Sequence, residues 1–166
     1  MIQTNGATII RVAEQDDMAG LARLELAADA QLQEALGGVL LPPPQPSGDG
    51  SELFILVAGR PPVGFARVDE LDGQAHLEQL SVHPLAGRRG VGRALVEAAA
   101  NESRLRGFTA MTLCTFADIA FNAPFYVSCG FEEYRCPGPR LAALRVHEVE
   151  LGLDALGRRI SMRREI

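Results

Sequence analysis

The amino-acid sequence predicts an α/β (α+β) fold: a mixed, mostly antiparallel central sheet of about seven strands, flanked by helices. Three observations predict it. Three β-like runs follow one another between residues 53 and 82, separated by compact turn signals. A glycine-rich turn after the third run opens a strongly helical segment. Beyond it, short apolar runs alternate with helical patterns to the end of the chain. At 166 residues the length suits one domain, 1–166, large enough to bury a real core.

Each element has its own signal. Ala7–Ala13 (ATIIRVA) reads as a first strand, and the following EQDD is turn-prone. Asp16 or Asp17 suits a helix cap, and Met18, Leu21, Leu24, Ala28 and Leu32 recur at helical spacing as far as Gly37 and Gly38. This stretch reads as a helical hairpin packed on the sheet. In Leu41–Ser51 (LPPPQPSGDGS) the prolines lack donors and the glycines favour turns, which makes a mobile surface loop. Leu53–Ala58, Val63–Leu71 and Gln74–Val82 form an antiparallel meander; GRPP and Asp72-Gly73 supply its turns, and His83-Pro84 stops it.

Val91–Arg106 is rich in Ala, Leu, Glu and Arg, and ends at Gly107, as a helix does. Thr109–Phe116 is a buried strand by content and length. Asn122–Cys129 reads as a short helix closed by Gly130, and Phe131–Arg135 as a strand. Pro139–Leu156 carries Leu141, Leu144, Glu148 and Leu151 at helical steps between Pro139 and Gly157, the pattern of a single helix. Arg159–Arg164 alternates and closes the sheet.

Composition excludes several classes. The apolar share of 47% and charged share of 22% are those of a globular protein, neither disordered nor collagenous. No uncharged run reaches the roughly 18 residues of a membrane helix. The longest candidate, Ile119–Phe131, is interrupted by Asn122, Pro124 and Gly130. Met1–Ala13 lacks the basic start and apolar block of a signal peptide. A net charge of −5 argues against a broad nucleic-acid or anionic-membrane surface, while leaving room for a local anion site. Cys114, Cys129 and Cys136 form no Cys-x-x-Cys pair, so they read as reduced thiols of a cytoplasmic protein, without a metal site.

The chemistry concentrates in two segments. In Val82–Ala99 (VHPLAGRRGVGRALVEAA) a strand ends, a glycine-rich turn follows, and a helix opens at about Val91. The first turn of a helix presents unpaired N–H groups and a positive dipole end, which suit phosphate. Gly87, Gly90 and Gly92 let backbone approach a ligand, and Arg88, Arg89 and Arg93 place cations beside it. The plainer alternative is a strand–helix turn with glycines for geometry and arginines for solubility. A dinucleotide site needs Gly-x-Gly-x-x-Gly after a parallel unit, whereas the order here is Gly-x-x-Gly-x-Gly after an antiparallel meander. In the second segment, Phe121–Tyr134 (FNAPFYVSCGFEEY), Asn122 and Tyr126 lie one helical turn apart. Taken alone, Tyr126 also fits an amphipathic core residue with a wet hydroxyl.

Together and in this order, the two segments resemble the GCN5-related N-acetyltransferase (GNAT) superfamily, along nearly the whole chain. The family's loop pattern, Gln/Arg-x-x-Gly-x-Gly/Ala, binds the coenzyme A pyrophosphate. Arg88, Arg89, Gly90, Val91 and Gly92 fill its last five positions, Arg93 and Ala94 continue it, and Gly87 takes the first. The preceding apolar-x-Val-x-Pro is matched by Leu80, Ser81, Val82, His83 and Pro84. In relatives that strand's backbone pairs with the pantetheine arm, and an N–H near Leu80 polarises the thioester. The later motif, Asn-x-x-Ala-x-x-Phe/Leu-Tyr-x-x-x-Gly-Phe, is kept loosely, in a shorter form, by Asn122, Ala123, Pro124, Phe125, Tyr126, Gly130 and Phe131.

The resemblance implies a GNAT-like acyl-CoA N-acyltransferase fold and direct transfer of an acetyl group from acetyl-CoA to a primary amine, on a small molecule or a peptide. It makes Tyr126 the general acid; a tyrosine's ordinary pKa of about 10 keeps it protonated at neutral pH. His76 and Glu78, two apart on one strand, share a face by parity with Leu80 and Val82, which sets them along the arm as base candidates, Glu78 first. Asp69 and Glu70 are weaker ones. Cys114 would allow a covalent route, but a buried apolar role suits it better. Asp29, Glu34, Asp49 and the Pro-rich loop lie where relatives shape the acceptor cleft, and acids there suit a cationic amine. The helix from Pro139 would cover the other side. Dimers are frequent among relatives, which admits a homodimer. The competing reading is a non-catalytic acyl-CoA-binding sensor on the same fold, which would need neither Tyr126 nor a base.

Overall fold

The computed structural model describes residues 8–43, 48 and 50–166. Seven strands form one sheet in the order β1-β2-β3-β4-β5-β7-β6. They are β1 (Ile10–Val12), β2 (Phe54–Ala58), β3 (Gly64–Leu71), β4 (Gln74–Val82), β5 (Ala110–Phe116), β6 (Glu132–Glu133) and β7 (Arg159–Glu165). All neighbours run antiparallel except β4 and β5, which are parallel. The expected mixed, mostly antiparallel sheet is therefore present. Ala7 and positions 44–47 and 49 of the expected strand and loop lie outside the described residues.

Each face of the sheet carries a helix because alternate residues of the meander are apolar on both faces. α1 (Gln15–Ala35) lays Leu21 and Leu24 on Ile55, Val57 and Phe65. α2 (Val91–Leu105) lays Leu95, Val96 and Ala99 on Leu56, Ala66, Val68 and Leu77. α2 comes so close to the sheet that a Cβ at Gly64 would stand 3.0 Å from the Ser81 carbonyl oxygen and 3.1 Å from Leu95.

Four local readings are corrected. The expected helical hairpin is one helix, α1, 21 residues long, running through Gly20 to the stop at Leu36. Its cap is Glu14, not Asp16 or Asp17; Asp17 closes the capping box by accepting the Glu14 N–H at 2.8 Å. Asp17 also takes a bidentate pair from Arg11, at 2.6 and 2.9 Å, which holds its carboxyl down at about 2. The single helix expected over 139–156 is two, α4 (Pro139–Glu150) and α5 (Leu153–Leu156), broken where Gly152 turns to φ +81°. The strand expected over 131–135 shrinks to β6, which pairs with β7, the last strand in chain order.

The turn at Asp72-Gly73 has both residues at positive φ, as a two-residue hairpin requires. Asp72 has a second task. Its two oxygens accept the N–H groups of Arg140 and Leu141, at 3.0 and 2.9 Å, and so cap α4, whose own N-cap residue is Gly138.

Two irregularities of β4 position the site. Val68 pairs with Leu77 and Arg67 with Gln79, so Glu78 has no partner on β3: it is the extra residue of a β-bulge. The bulge resets parity. His76 falls on the Arg67 and Asp69 side, while Leu80 and Val82 pack with Ala75 and Leu77 on the α2 side. The shared face expected for His76, Glu78, Leu80 and Val82 therefore does not exist. Second, β4 pairs with β5 only at Ala75–Met111 and His76–Thr112. Beyond His76 the two strands part, and the sheet opens into a cleft.

Candidate active site

The cleft holds two cavities. The larger, about 750 Å³, is lined by β4 from Leu77 to Val82, by loop residues 86–88 and 90–93, and by Asn122, Phe125 and Tyr126, while Arg89 lines a separate cavity with Arg23, Leu24 and His83. The other, about 580 Å³, lies toward α1 and α4, with Glu25, Arg67, Asp69, His76, Leu144, His147 and Glu148 in its wall. They meet at Asp29, Leu32, Glu78, Gln79, Cys114 and Arg159, which line both.

The loop end is made of backbone. Arg88 and Gly90 adopt positive φ, +60° and +78°, and no side chain caps α2. Its first N–H groups are left for a ligand, together with the positive end of a 15-residue helix. A Cβ on Gly90 would meet nothing within 4 Å; on Gly92 it would meet Phe125 at 3.5 Å. Arg88 and Arg89 are exposed and make no hydrogen bond or ion pair among the described residues. Arg93 is different. Its guanidinium donates to the Ser128 carbonyl at 2.9 Å and to the Ser128 hydroxyl at 2.8 Å, which ties α2 to α3 (Ala123–Ser128). These groups fit a pyrophosphate: open N–H donors, an uncommitted Arg88 in the cavity wall with Arg89 beside it in sequence, and no carboxylate among the loop residues.

At the cleft's centre Tyr126 packs edge-on against Phe125 and Phe131, with ring centroids 5.1 and 5.8 Å away. Its hydroxyl has no protein partner among the described residues. Burial pushes its pKa well above the ordinary tyrosine value, so it is a protonated donor at any physiological pH. Asn122, one turn earlier, accepts from the Thr115 hydroxyl at 2.9 Å and anchors α3 to β5.

On the opposite wall His76, 1% exposed, bridges the two parting strands. Its Nδ1 lies 2.9 Å from the Thr112 hydroxyl and its Nε2 3.3 Å from Glu78. The bulge turns Glu78 toward the junction of the cavities, a third of its side chain still open to solvent. The His76 contact is the main cause that holds the Glu78 carboxyl below its ordinary value, against the opposing effect of burial. Cys114 faces the same junction, but burial lifts its thiol to about 12. That leaves it a thiol, a poor nucleophile.

The second cavity contains charge that the sequence reading missed. Arg159 donates to Glu148 at 2.6 Å and stacks 4.7 Å over Phe116, while Arg145 bonds the other Glu148 oxygen and pairs with Asp154 at 2.8 Å. Arg67 pairs with Asp69 at 3.0 Å and with the Ser51 hydroxyl at 3.0 Å. Glu25, on α1, is 8% exposed, and its carboxyl is raised to about 7, chiefly by burial and then by Asp29. One sequence signal could have found it: Glu25 interrupts the Leu21, Leu24, Ala28, Leu32 stripe with a carboxylate. Of the acids expected there, Asp29 lines both cavities, Glu34 is exposed and lines neither, and Asp49 lies outside the described residues. Glu70 also stands apart, accepting the Gly73 N–H at 2.7 Å.

With this geometry in hand, the chain can be set beside known proteins. The acetyltransferase (GNAT) domain family matches residues 49–133, just over half of the chain. Among solved structures it is similar to the ribosomal-protein-S18-alanine N-acetyltransferase of Escherichia coli: 23% identity over 96% of this chain and 94% of that one, TM-score 0.64. It is similar also to PaiA N-acetyltransferase of Thermoplasma acidophilum in complex with coenzyme A, at 14% identity over 96% and 99%, TM-score 0.69. N-acetylglutamate synthase of Neisseria gonorrhoeae, complexed with coenzyme A and N-acetyl-glutamate, matches at 18% identity over 98% of this chain and 36% of that one, TM-score 0.70. At these identities the structures share a fold.

Proposed function

The chain belongs to the GNAT acetyltransferase family, and from that premise we propose that it transfers the acetyl group of acetyl-CoA directly to a primary amine of a small molecule or peptide, in the cytoplasm. The observation that carries this reading is the parted pair β4 and β5, with a backbone anion site at one end and Tyr126 and Glu78 across the middle.

Acetyl-CoA supplies the acyl group as a thioester. The N–H groups of Gly90–Arg93 and the Arg88 and Arg89 side chains hold its phosphates, and the free backbone of Leu80, Ser81 and Val82 lines its arm. A backbone N–H of β4 near Leu80 steadies the negative charge that develops on the carbonyl oxygen. Glu78 accepts the proton of the attacking amine, directly or through one water, with His76 and Thr112 fixing its position. Tyr126 donates to the departing sulfur. A buried site raises the basicity of a thiolate as it does that of a phenolate, so the proton moves between groups shifted in the same direction.

Three of the residues expected to bind the cofactor act indirectly in this account. Arg93 positions α3 through Ser128, and Asn122 does the same through Thr115. Ala94 only continues the helix.

A thermal-shift titration with acetyl-CoA, coenzyme A and NADH side by side tests the reading. Both coenzyme A species at about 100 times their dissociation constant should stabilise the protein by about 2.7 kcal/mol, and NADH should not. No shift with either coenzyme A species would remove the basis of the proposal.

A further inference from the structure

Resting on the acetyltransferase reading above, we infer that the acceptor carries a second cationic group besides the amine that is acetylated, and that Glu25 and Asp29 hold it. The acceptor class is a diamine or larger polycationic amine.

Glu25 is more than nine-tenths buried, lines the second cavity, and has no hydrogen bond or ion pair among the described residues. The Glu25 carboxylate is not sealed in the core but meets the cavity, where so confined a charge gains from a cation placed beside it. Asp29, one helical turn on, lines the same cavity and likewise has no hydrogen bond or ion pair among the described residues. The cavity's arginines make their ion pairs elsewhere, Arg67 with Asp69 and Arg159 with Glu148, so that Arg67 attracts Glu25 only at a distance.

Glu78 pairs with the reacting ammonium and takes its proton, after which it carries no charge with which to hold a second cation. Glu25 and Asp29 therefore form a second anionic place, on a different element from the base. Leu32, Leu41 and Leu71 wall the space around them, which suits a methylene linker. The groups facing Glu25 are Asp29 on its own helix, Arg67 and Asp69 on β3, and His76 and Glu78 on β4. The mutual repulsion of Glu25, Asp29 and Glu78, which contributes to the raised Glu25 carboxyl, is what a bound cation relieves.

The test is calorimetric titration of the full chain, first with coenzyme A and then, once saturated, with butane diamine and hexane diamine against butylamine and hexylamine. At least one diamine should bind about tenfold or more tightly than its matched monoamine. That advantage should vanish in Glu25→Gln and shrink in Asp29→Asn, each shown to be folded by unchanged coenzyme A affinity. Equal affinity for diamine and monoamine, no amine binding at all, or a preference that survives both substitutions would overturn the inference while leaving the acetyltransferase reading in place. Failure of the first titration would remove that reading instead, before any amine is added.

Discussion

The two ends of the cleft are built on opposite plans. The phosphate end uses backbone: a turn with two positive-φ residues, an uncapped helix start, and exposed arginines without a hydrogen bond or ion pair among the described residues. The acceptor end uses side chains: a His–Glu pair, an Arg–Glu–Arg cluster, and carboxylates on α1, drawn from four separate elements. Backbone recognition depends on a few adjacent residues and suits a ligand that never changes. Side-chain recognition depends on tertiary placement, so it can be retuned one residue at a time without disturbing the loop.

The sharpest probe of this contrast is the tyrosine at the centre of the cleft. Tyr126→Phe should keep coenzyme A affinity while losing about 10² to 10⁴ in turnover, the range of a general acid. Steady-state kinetics beside a binding titration decides it, and unchanged turnover would move the acid elsewhere. At the loop, Gly90→Val forces a branched side chain into a left-handed conformation and into the space before the N–H donors. Coenzyme A affinity should fall by about tenfold or more. Undiminished affinity would mean that the phosphates do not bind at this loop.

The acceptor end should reveal itself through pH. The folded Glu25 carboxyl titrates at about 7 against an ordinary 4.5, so the folded state holds the extra proton between those values. Its contribution to stability is complete below about 4.5 and is lost as pH rises to 7. Glu25→Gln should therefore be more stable than the unliganded parent at pH 8, by up to about 3 kcal/mol, and lose that advantage by about pH 5. Melting curves of both proteins across that range check the sign; a difference independent of pH would show that Glu25 is not the group that titrates.

What could be read from the sequence follows the same division. The loop from Gly87 to Gly92 and the short helix of Tyr126 were legible because their chemistry is written in consecutive residues. The meander was legible because its strands are joined by turns that state their own geometry, as Asp72-Gly73 does. The bulge at Glu78 was not, since it exists only in how β4 pairs with β3, and it overturned a parity argument that assumed an unbroken strand. Arg93 looked like its neighbours Arg88 and Arg89 until Ser128, 35 residues on, was brought beside it. Gly20 gave no hint of how it is tolerated within α1: nothing stands within 4 Å of the place its Cβ would take.

The parting of β4 from β5 also bears on solubility. An unpaired strand backbone is a template for other chains, and sheets usually carry that hazard on their outermost strands. Here the outermost strands, β1 and β6, have only three and two residues, too little to seed an intermolecular ladder. The long strand edge without a β5 partner, from Leu77 to Val82, lies inside the molecule, in a cavity walled by α1, α3 and the glycine-rich loop. A slender extended ligand with amides can reach it, whereas a strand from another chain would have to displace those walls. The arrangement keeps an adhesive surface for use while screening it from self-association.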